Sequence, residues 1–197
     1  MNERFNEPGM MIGYYITSAM ILIILFIILS LIFQTLDFSI KTVILLAAST
    51  IIGCFFNVPV IRLKQKDIYM NIGGGIVPVG FSIYFIWLRP DLIIQIILAT
   101  LVLIFFTYCF STIDDDGIRV YILVPLIGSI IVASLLPGSL LVIGYVSGTL
   151  GTLIGADIMN LDNIQDFGFR ELSIGGAGTL DAIFVTGLII LIVGSVI

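Results

Sequence analysis

The sequence predicts an all-α, polytopic transmembrane helix bundle of about seven spans, and its composition carries this prediction. Hydrophobic residues make up 59% of the 197 residues, and charged residues only 11%. The mean hydropathy is +1.24. Soluble domains carry about 25% charged residues, so this composition is that of an integral, multi-pass protein of the cell membrane, with the lipid bilayer as its partner.

The apolar residues form seven stretches, and roughly 20 such residues suffice to cross a bilayer as a helix. The predicted spans are Met10–Phe33, Thr42–Ile61, Asn71–Leu88, Leu92–Phe110, Ile118–Leu136, Ser139–Ile158 and Ile174–Ile197. The first is too long for the apolar core of a signal peptide, so we interpret it as a retained helix. We expect residues 1–197 to form a single membrane domain.

The basic residues predict the orientation of these spans. With seven spans, one side of the membrane collects Arg4, Arg62, Lys64, Lys66, Arg119 and Arg170, and the other collects Lys41 and Arg89. Because cytoplasmic loops carry an excess of Lys and Arg, the amino terminus is predicted to be cytoplasmic and the carboxyl terminus external.

Composition also excludes several classes of function. The net charge of −5 argues against a nucleic-acid partner. The chain has no histidine, which removes Ser–His and Cys–His catalysis and histidine metal sites. We therefore expect neither a metal ion nor a cofactor.

Glycine-rich segments open the third and seventh spans. Asn71–Gly75 and Ser173–Gly178 share an Ile-Gly-Gly core, which suggests a weak internal duplication of residues 42–88 and 139–197 in the same direction. Glycine in a helix interior costs about 1 kcal/mol relative to alanine. We therefore predict glycine-broken helix starts at both spans and a cavity beside Gly175–Asp181. A compatible alternative is that these glycines only allow close helix packing.

Two aspartates are the main candidates for function. Asp157 is the penultimate residue of the sixth predicted span and Asp181 lies in the seventh, so both lie near the same membrane face. A carboxylate within a membrane segment is costly and usually marks a functional site. Two adjacent carboxylates can share a proton and act as base and acid, as in aspartic proteases, without histidine, cysteine or metal.

Three motifs carry a resemblance to known families. They are Asn71–Pro78, Gly148–Leu161 and Ser173–Phe184. In these motifs the chain resembles an uncharacterised prokaryotic membrane family, known as the domain of unknown function 1614 family, whose name supplies no activity.

The last two spans are also distantly similar to the catalytic pair of the GxGD intramembrane aspartyl proteases, the presenilin and signal-peptide-peptidase group. This resemblance implies that Asp157 is the first catalytic aspartate and Asp181 the second. Here Thr179 and Leu180 separate the glycine motif from Asp181. We expect the substrate site to be lined further by residues of the three motifs: Gly155, Asn160, Gly175, Gly176, Gly178, Thr179, Asn71, Gly73, Gly74 and Pro78.

Three functions remain open at this point. The first is an intramembrane aspartyl protease that uses Asp157 and Asp181 to hydrolyse a membrane-embedded peptide. The second is a proton- or cation-coupled carrier or channel with the same aspartates as its ion site. In that case the acidic run Asp114–Asp116 would recruit cations, although it equally suits a solvated loop. The third is a non-catalytic membrane scaffold.

Overall fold

A computed structural model describes residues 48–63, 66–114, 117–161, 171–176 and 181–194. These residues all belong to one compact unit, Leu45–Ile197. The predicted first span, Met10–Phe33, lies outside the described residues.

Helices form most of the described chain. The longer ones are α1 (Val77–Leu88), α2 (Ile93–Cys109), α3 (Leu123–Leu135), α4 (Leu140–Thr152) and α5 (Ala182–Gly194). Shorter turns extend three of them: a first π-helix (Ile72–Ile76) before α1, a 3-10 turn (Pro90–Leu92) before α2, and a second π-helix (Leu153–Asp157) and a 3-10 turn (Ile158–Asn160) after α4. Residues 48–53 are also helical.

Consecutive helices run in opposite directions, because short turns join α1 to α2 and α3 to α4. The starts of α1, α3 and α5 therefore lie at the same end of the bundle as the ends of α2 and α4. We call this the polar end.

Two small sheets lie at the polar end. β1 (Asn57–Leu63), β2 (Lys66–Asn71) and β5 (Glu171–Ile174) form a three-stranded sheet with β2 in the centre. β1 is antiparallel to β2, and β5 is parallel to it. β3 (Ser111–Asp114) and β4 (Gly117–Val120) form an antiparallel hairpin. The described chain is thus mostly helical, as predicted, but it also contains two small sheets that the all-α prediction did not include.

The strands shorten three of the predicted spans. In the second span, the helix gives way to a turn after residue 53 and Asn57–Leu63 is strand, because this run is rich in β-branched residues and contains Pro59. The register shifts between Pro59 and Ile61, so Val60 is the extra residue of a β-bulge. The fifth predicted span begins at Leu123 rather than Ile118, and the seventh at Ala182 rather than Ile174.

Helix α4 is the centre of the bundle. Every side chain from Leu141 to Thr149 is buried. Its glycines face neighbouring helices at close range: a Cβ built at Gly148 would lie 2.8 Å from Thr186 Cγ2 of α5. On the α2 side, Thr107 Oγ1 donates a hydrogen bond to the carbonyl of Gly151 at 2.8 Å. Small residues at this spacing allow the helix backbones to approach closely.

The first π-helix replaces the break predicted at the start of span three. Its three consecutive glycines are buried and stay helical, with wider turns than an α-helix. Asn71 caps it by accepting a hydrogen bond from Gly74 N at 2.8 Å. A buried cap compensates for the low helix propensity of these glycines.

Two of the described helices are long and apolar enough to cross a membrane. They are Pro90–Cys109, with 20 residues, and Leu140–Asn160, with 21 residues. Ile72–Leu88, Leu123–Leu135 and Ala182–Leu191 are apolar but shorter.

Close packing at Gly155 yields a first prediction. A Cβ at this position would overlap Thr107 Oγ1 and the carbonyl of Ile104 on α2. We expect Gly155→Ala to destabilise the protein by about 1–3 kcal/mol, because backbone and a hydrogen-bonded side chain must move. A lower thermal unfolding midpoint in detergent would show this.

Gly80 of α1 supplies the matched control, since a Cβ built there meets nothing within 4 Å. Gly80→Ala should leave the midpoint unchanged or raise it slightly, because alanine is the better helix former. Equal midpoints for the two variants would contradict close packing of α4 on α2.

Candidate functional site

A cavity of about 520 Å³ opens at the polar end, and both candidate aspartates line it. Asp157 and Ala156 come from the second π-helix, and Asp181 and Ala182 from the start of α5. The remaining described lining residues are Thr112, Ile118, Arg119, Val120, Tyr121, Ile122 and Thr152. The fold therefore brings together two carboxyl groups that are 24 residues apart in the chain.

Asp181 caps the amino-terminal end of α5. Its Oδ1 accepts a hydrogen bond from Ile183 N at 3.0 Å. Its backbone carbonyl accepts the first helical bond, from Val185 N at 2.8 Å. The exposed N–H groups and the dipole of a helix start favour an anionic side chain at this position.

Asp157 lies at a carboxyl-terminal helix end, whereas Asp181 lies at an amino-terminal one. Asp157 is the last residue of the second π-helix, which continues the carboxyl-terminal end of α4. Its side chain is half-buried, and it interacts electrostatically with Asp181. Isolated π turns inside helices occur frequently at functional sites.

An apolar cluster holds the two aspartate-bearing elements together. Leu153 of the second π-helix and Ile183 of α5 pack in one buried cluster with Ile68 of β2 and Ile174 of β5. Leu153 precedes Asp157 by about one helical turn, and Ile183 follows Asp181 by two residues. The three-stranded sheet thus packs against both aspartate-bearing elements and fixes the positions of the two carboxyl groups.

The β3–β4 hairpin forms the other wall of the cavity, and the sequence analysis missed it. Thr112 and Arg119 are paired across the two strands. The sequence carries a signal for these strands, because the polar run Asp114–Gly117 lies between Thr112-Ile113 and Ile118-Arg119-Val120, and β-branched residues favour strands. The hairpin was not predicted because Ile118–Val120 was assigned to the fifth predicted span, and this assignment also hid the position of Arg119 in the cavity wall.

Asn160 links the β3–β4 hairpin by hydrogen bonds to the helical segment that carries Asp157. Its Nδ2 donates hydrogen bonds to Ser111 Oγ and to the carbonyl of Ala156, each at 2.8 Å. Asn160 is buried, with 5% of its surface exposed. Asn160 is one of the residues expected to line the site. It holds the cavity wall in position by these hydrogen bonds and is not among the residues that line the cavity.

The glycine motifs form a separate packing contact. Gly175 has a φ of +69°, which glycine adopts without strain. A Cβ there would lie 2.8 Å from the backbone of Gly74 and of Gly75. Gly73 packs against Thr50 and Cys54, and Gly176 lies beside Ser173 in its own turn. These glycines allow the ends of the parallel strands β2 and β5 to approach the first π-helix.

The other expected lining residues have structural contacts. Asn71 is buried, and its Nδ2 donates to the carbonyl of Cys54 at 2.9 Å and to Asn57 Oδ1 at 3.0 Å. The carbonyl of Pro78 accepts a hydrogen bond from Tyr145 OH of α4 at 3.4 Å. Gly155 packs against α2. Gly178 and Thr179 lie outside the described residues.

The cavity offers two carboxyl groups, one guanidinium group and hydroxyl groups. Among the residues that the structure describes, no three Asp, Glu or Cys side chains group as a metal site would require. Two carboxyl groups that face one space can share a proton and exchange it with a bound molecule.

The chain belongs to the family described as "Protein of unknown function (DUF1614)", whose model matches residues 28–193. The expected family resemblance is therefore confirmed. No curated protein and no solved structure shows significant similarity to the chain. The resemblance to the GxGD proteases receives no support from these comparisons.

The cap at Asp181 yields a second prediction. Asp181→Ala removes the acceptor of Ile183 N and should lower the free energy of unfolding by about 0.5–2 kcal/mol. Asp181→Asn keeps an equally good capping oxygen and should leave stability unchanged within a few tenths of a kcal/mol. Chemical unfolding in mixed micelles measures both. Equal destabilisation by the two substitutions would show that charge, and not capping, holds α5.

Proposed function

For this member of the DUF1614 family, we propose a multi-pass membrane hydrolase in which Asp157 and Asp181 act as one dyad. The dyad activates water to cleave a peptide bond in a membrane-embedded substrate. The observation that carries this proposal is that both carboxyl groups line one cavity of about 520 Å³.

The outer surface of the bundle supports a membrane location. α2 exposes large apolar side chains along its length, including Ile94 (68%), Leu101 (58%) and Phe105 (64%). Extended apolar surface of this kind indicates contact with lipid or with another protein. The helix Leu140–Asn160, which packs against α2, is long enough to cross a bilayer.

We propose that the polar end is cytoplasmic, with seven spans and the amino terminus on the same side. The excess of basic residues in the loops supports this orientation. The strands also fit it, because non-helical backbone is tolerated in membranes only where protein or water satisfies it.

The two helix ends suggest different roles for the two acids. The N–H groups at the start of α5 stabilise a carboxylate at Asp181. Asp157 lies where the carbonyl ends of the α4 peptide dipoles oppose negative charge. We therefore assign Asp181 as the general base and Asp157 as the general acid.

The proposed reaction is a simple hydrolysis. Asp181 takes a proton from water as the water oxygen attacks the peptide carbonyl carbon. Asp157 donates its proton to the amide nitrogen as the C–N bond breaks, giving a carboxylic acid and an amine. General acid–base transfer of this kind contributes about 10²–10⁴-fold to a rate.

A proton- or cation-coupled carrier is the second candidate. The second π-helix, which ends at Asp157, supports it, because interrupted helices hold coupling ions in transporters. Arg119 lines the same cavity, and its positive charge reduces the net negative charge that a cation would meet there.

The hydrolase predicts binding of a transition-state mimic. The probe is a photo-crosslinkable transmembrane peptide in which a hydroxyl-bearing carbon replaces the scissile amide. We expect specific labelling of the wild type in liposomes, and a loss of about 100-fold or more in Asp157→Asn and in Asp181→Asn. Asp181→Asn is informative because it keeps the helix cap.

Asp91→Asn is the matched control, since Asp91 is exposed and forms a salt bridge with Arg89 at the other end of the bundle. It should label as the wild type does. If no variant changes labelling, or if the wild type is not labelled, the hydrolase is contradicted. Proton flux that is lost in both dyad variants would then support the carrier.

The topology yields a separate prediction. Reporter fusions after Phe33, Arg89 and Ile197 should all report the external side if there are seven spans with the amino terminus inside. A cytoplasmic signal from a fusion after Ile197 would contradict the proposed number of spans.

A further inference from the structure

A groove between α2 and α3 is the second notable space in the described structure. Its volume is about 390 Å³, and every side chain that lines it is apolar. The wall includes Phe106, Phe110, Leu123, Ile127, Gly128 and Ile131. Three of these, Leu123, Ile127 and Ile131, follow one another at four-residue intervals and form one stripe on α3.

The groove begins where the polar cavity ends. Phe110 directly precedes strand β3, and Leu123 directly follows Ile122, which lines the cavity. The cavity-lining residues Thr112, Arg119 and Tyr121 therefore lie next to the polar end of the groove. A molecule in the groove would present its end to these three side chains.

We propose that this groove and the hairpin form a binding site for an anionic membrane lipid. One acyl chain lies along the α3 stripe, and Arg119 binds the phosphate of the headgroup. This inference goes beyond the proposed hydrolysis and does not depend on the chemistry of the aspartates.

The size of the groove suits a single acyl chain. From Leu123 to Ile131 the stripe is roughly 12 Å long at the rise of an α-helix. The groove has a volume of about 390 Å³ and only apolar walls, so one hydrocarbon chain can lie along this stripe.

The residues at the polar end of the groove favour an anionic headgroup. Arginine forms paired, charge-assisted hydrogen bonds with phosphate. Tyr121 is 73% exposed beside it, and tyrosine is enriched where a membrane meets water. The hydroxyl group of Thr112, paired with Arg119 across the hairpin, adds a donor.

Native mass spectrometry of the full chain tests this site, with phosphatidylglycerol and phosphatidylcholine of identical acyl chains as probes. We expect one tightly bound phosphatidylglycerol and a preference over phosphatidylcholine on the order of tenfold. Arg119→Gln should equalise the two lipids. A Cβ at Gly128 would lie 3.2 Å from Leu103 Cδ1 on α2, so Gly128→Leu should narrow the groove from its floor and remove the tight binding of both lipids.

Two controls match these variants. Arg89→Gln removes an arginine that is hydrogen-bonded twice to Asp91 at the opposite end of α1. Gly80→Leu adds the same side chain to a glycine that has open space around it. Both controls should bind lipid as the wild type does.

Ile131→Trp provides a second groove variant if Gly128→Leu does not fold, because Ile131 is half-exposed and its enlargement does not disturb the core. An unchanged lipid preference in Arg119→Gln would show only non-specific boundary lipid and would overturn the proposal. Tight binding that survives both groove substitutions would do so as well. Displacement of the lipid by glycerol phosphate at equal concentration would contradict a site that needs the acyl chain.

Discussion

Close backbone packing around α4 is the constraint on which the rest of the structure depends. Gly144 and Gly148 lie against α5, and Gly151 and Gly155 lie against α2. Without side chains at these positions, three helices meet at a distance at which van der Waals contacts and the hydrogen bond from Thr107 to Gly151 form. In a membrane this packing, and not the hydrophobic effect, drives helix association. It sets the position of both aspartate-bearing helix ends.

The polar end combines this packing with a small amount of sheet. Ile68 and Ile174 of the three-stranded sheet pack on Leu153 and Ile183, each of which lies close in sequence to one of the two aspartates. Asn160 ties the β3–β4 hairpin to the same helix end. The two carboxyl groups therefore share one cavity because a fixed apolar cluster, a hydrogen-bonded hairpin and a helix cap each hold one side of it. Arg119 also lines this space and brings a positive charge to it.

The bounds of α1, α2 and α4 were predicted closely from the sequence, because the apolar stretches that form them are long and end at turns. The sequence also predicted that Asp157 and Asp181 lie close together, and both line one cavity. The strands were missed because Val58, Val60 and Ile118 are as apolar as the residues of a membrane helix, and hydropathy does not separate short apolar strands from helices. The structural roles of Asn71 and Asn160 could not be predicted from sequence, because their hydrogen-bond partners are set by tertiary contacts between distant elements.

The central claim is that Asp157 and Asp181 behave as one titrating unit within a shared cavity. Carbon-13 NMR of the aspartate carboxyl groups in the reconstituted protein measures this directly, with each signal assigned by single substitution. The account predicts that the titration midpoint of the Asp157 carboxyl group moves by about one pH unit or more in Asp181→Asn, and that Asp91→Asn leaves it unchanged. Superimposable titration curves for Asp157 in the wild type and in Asp181→Asn would contradict the claim.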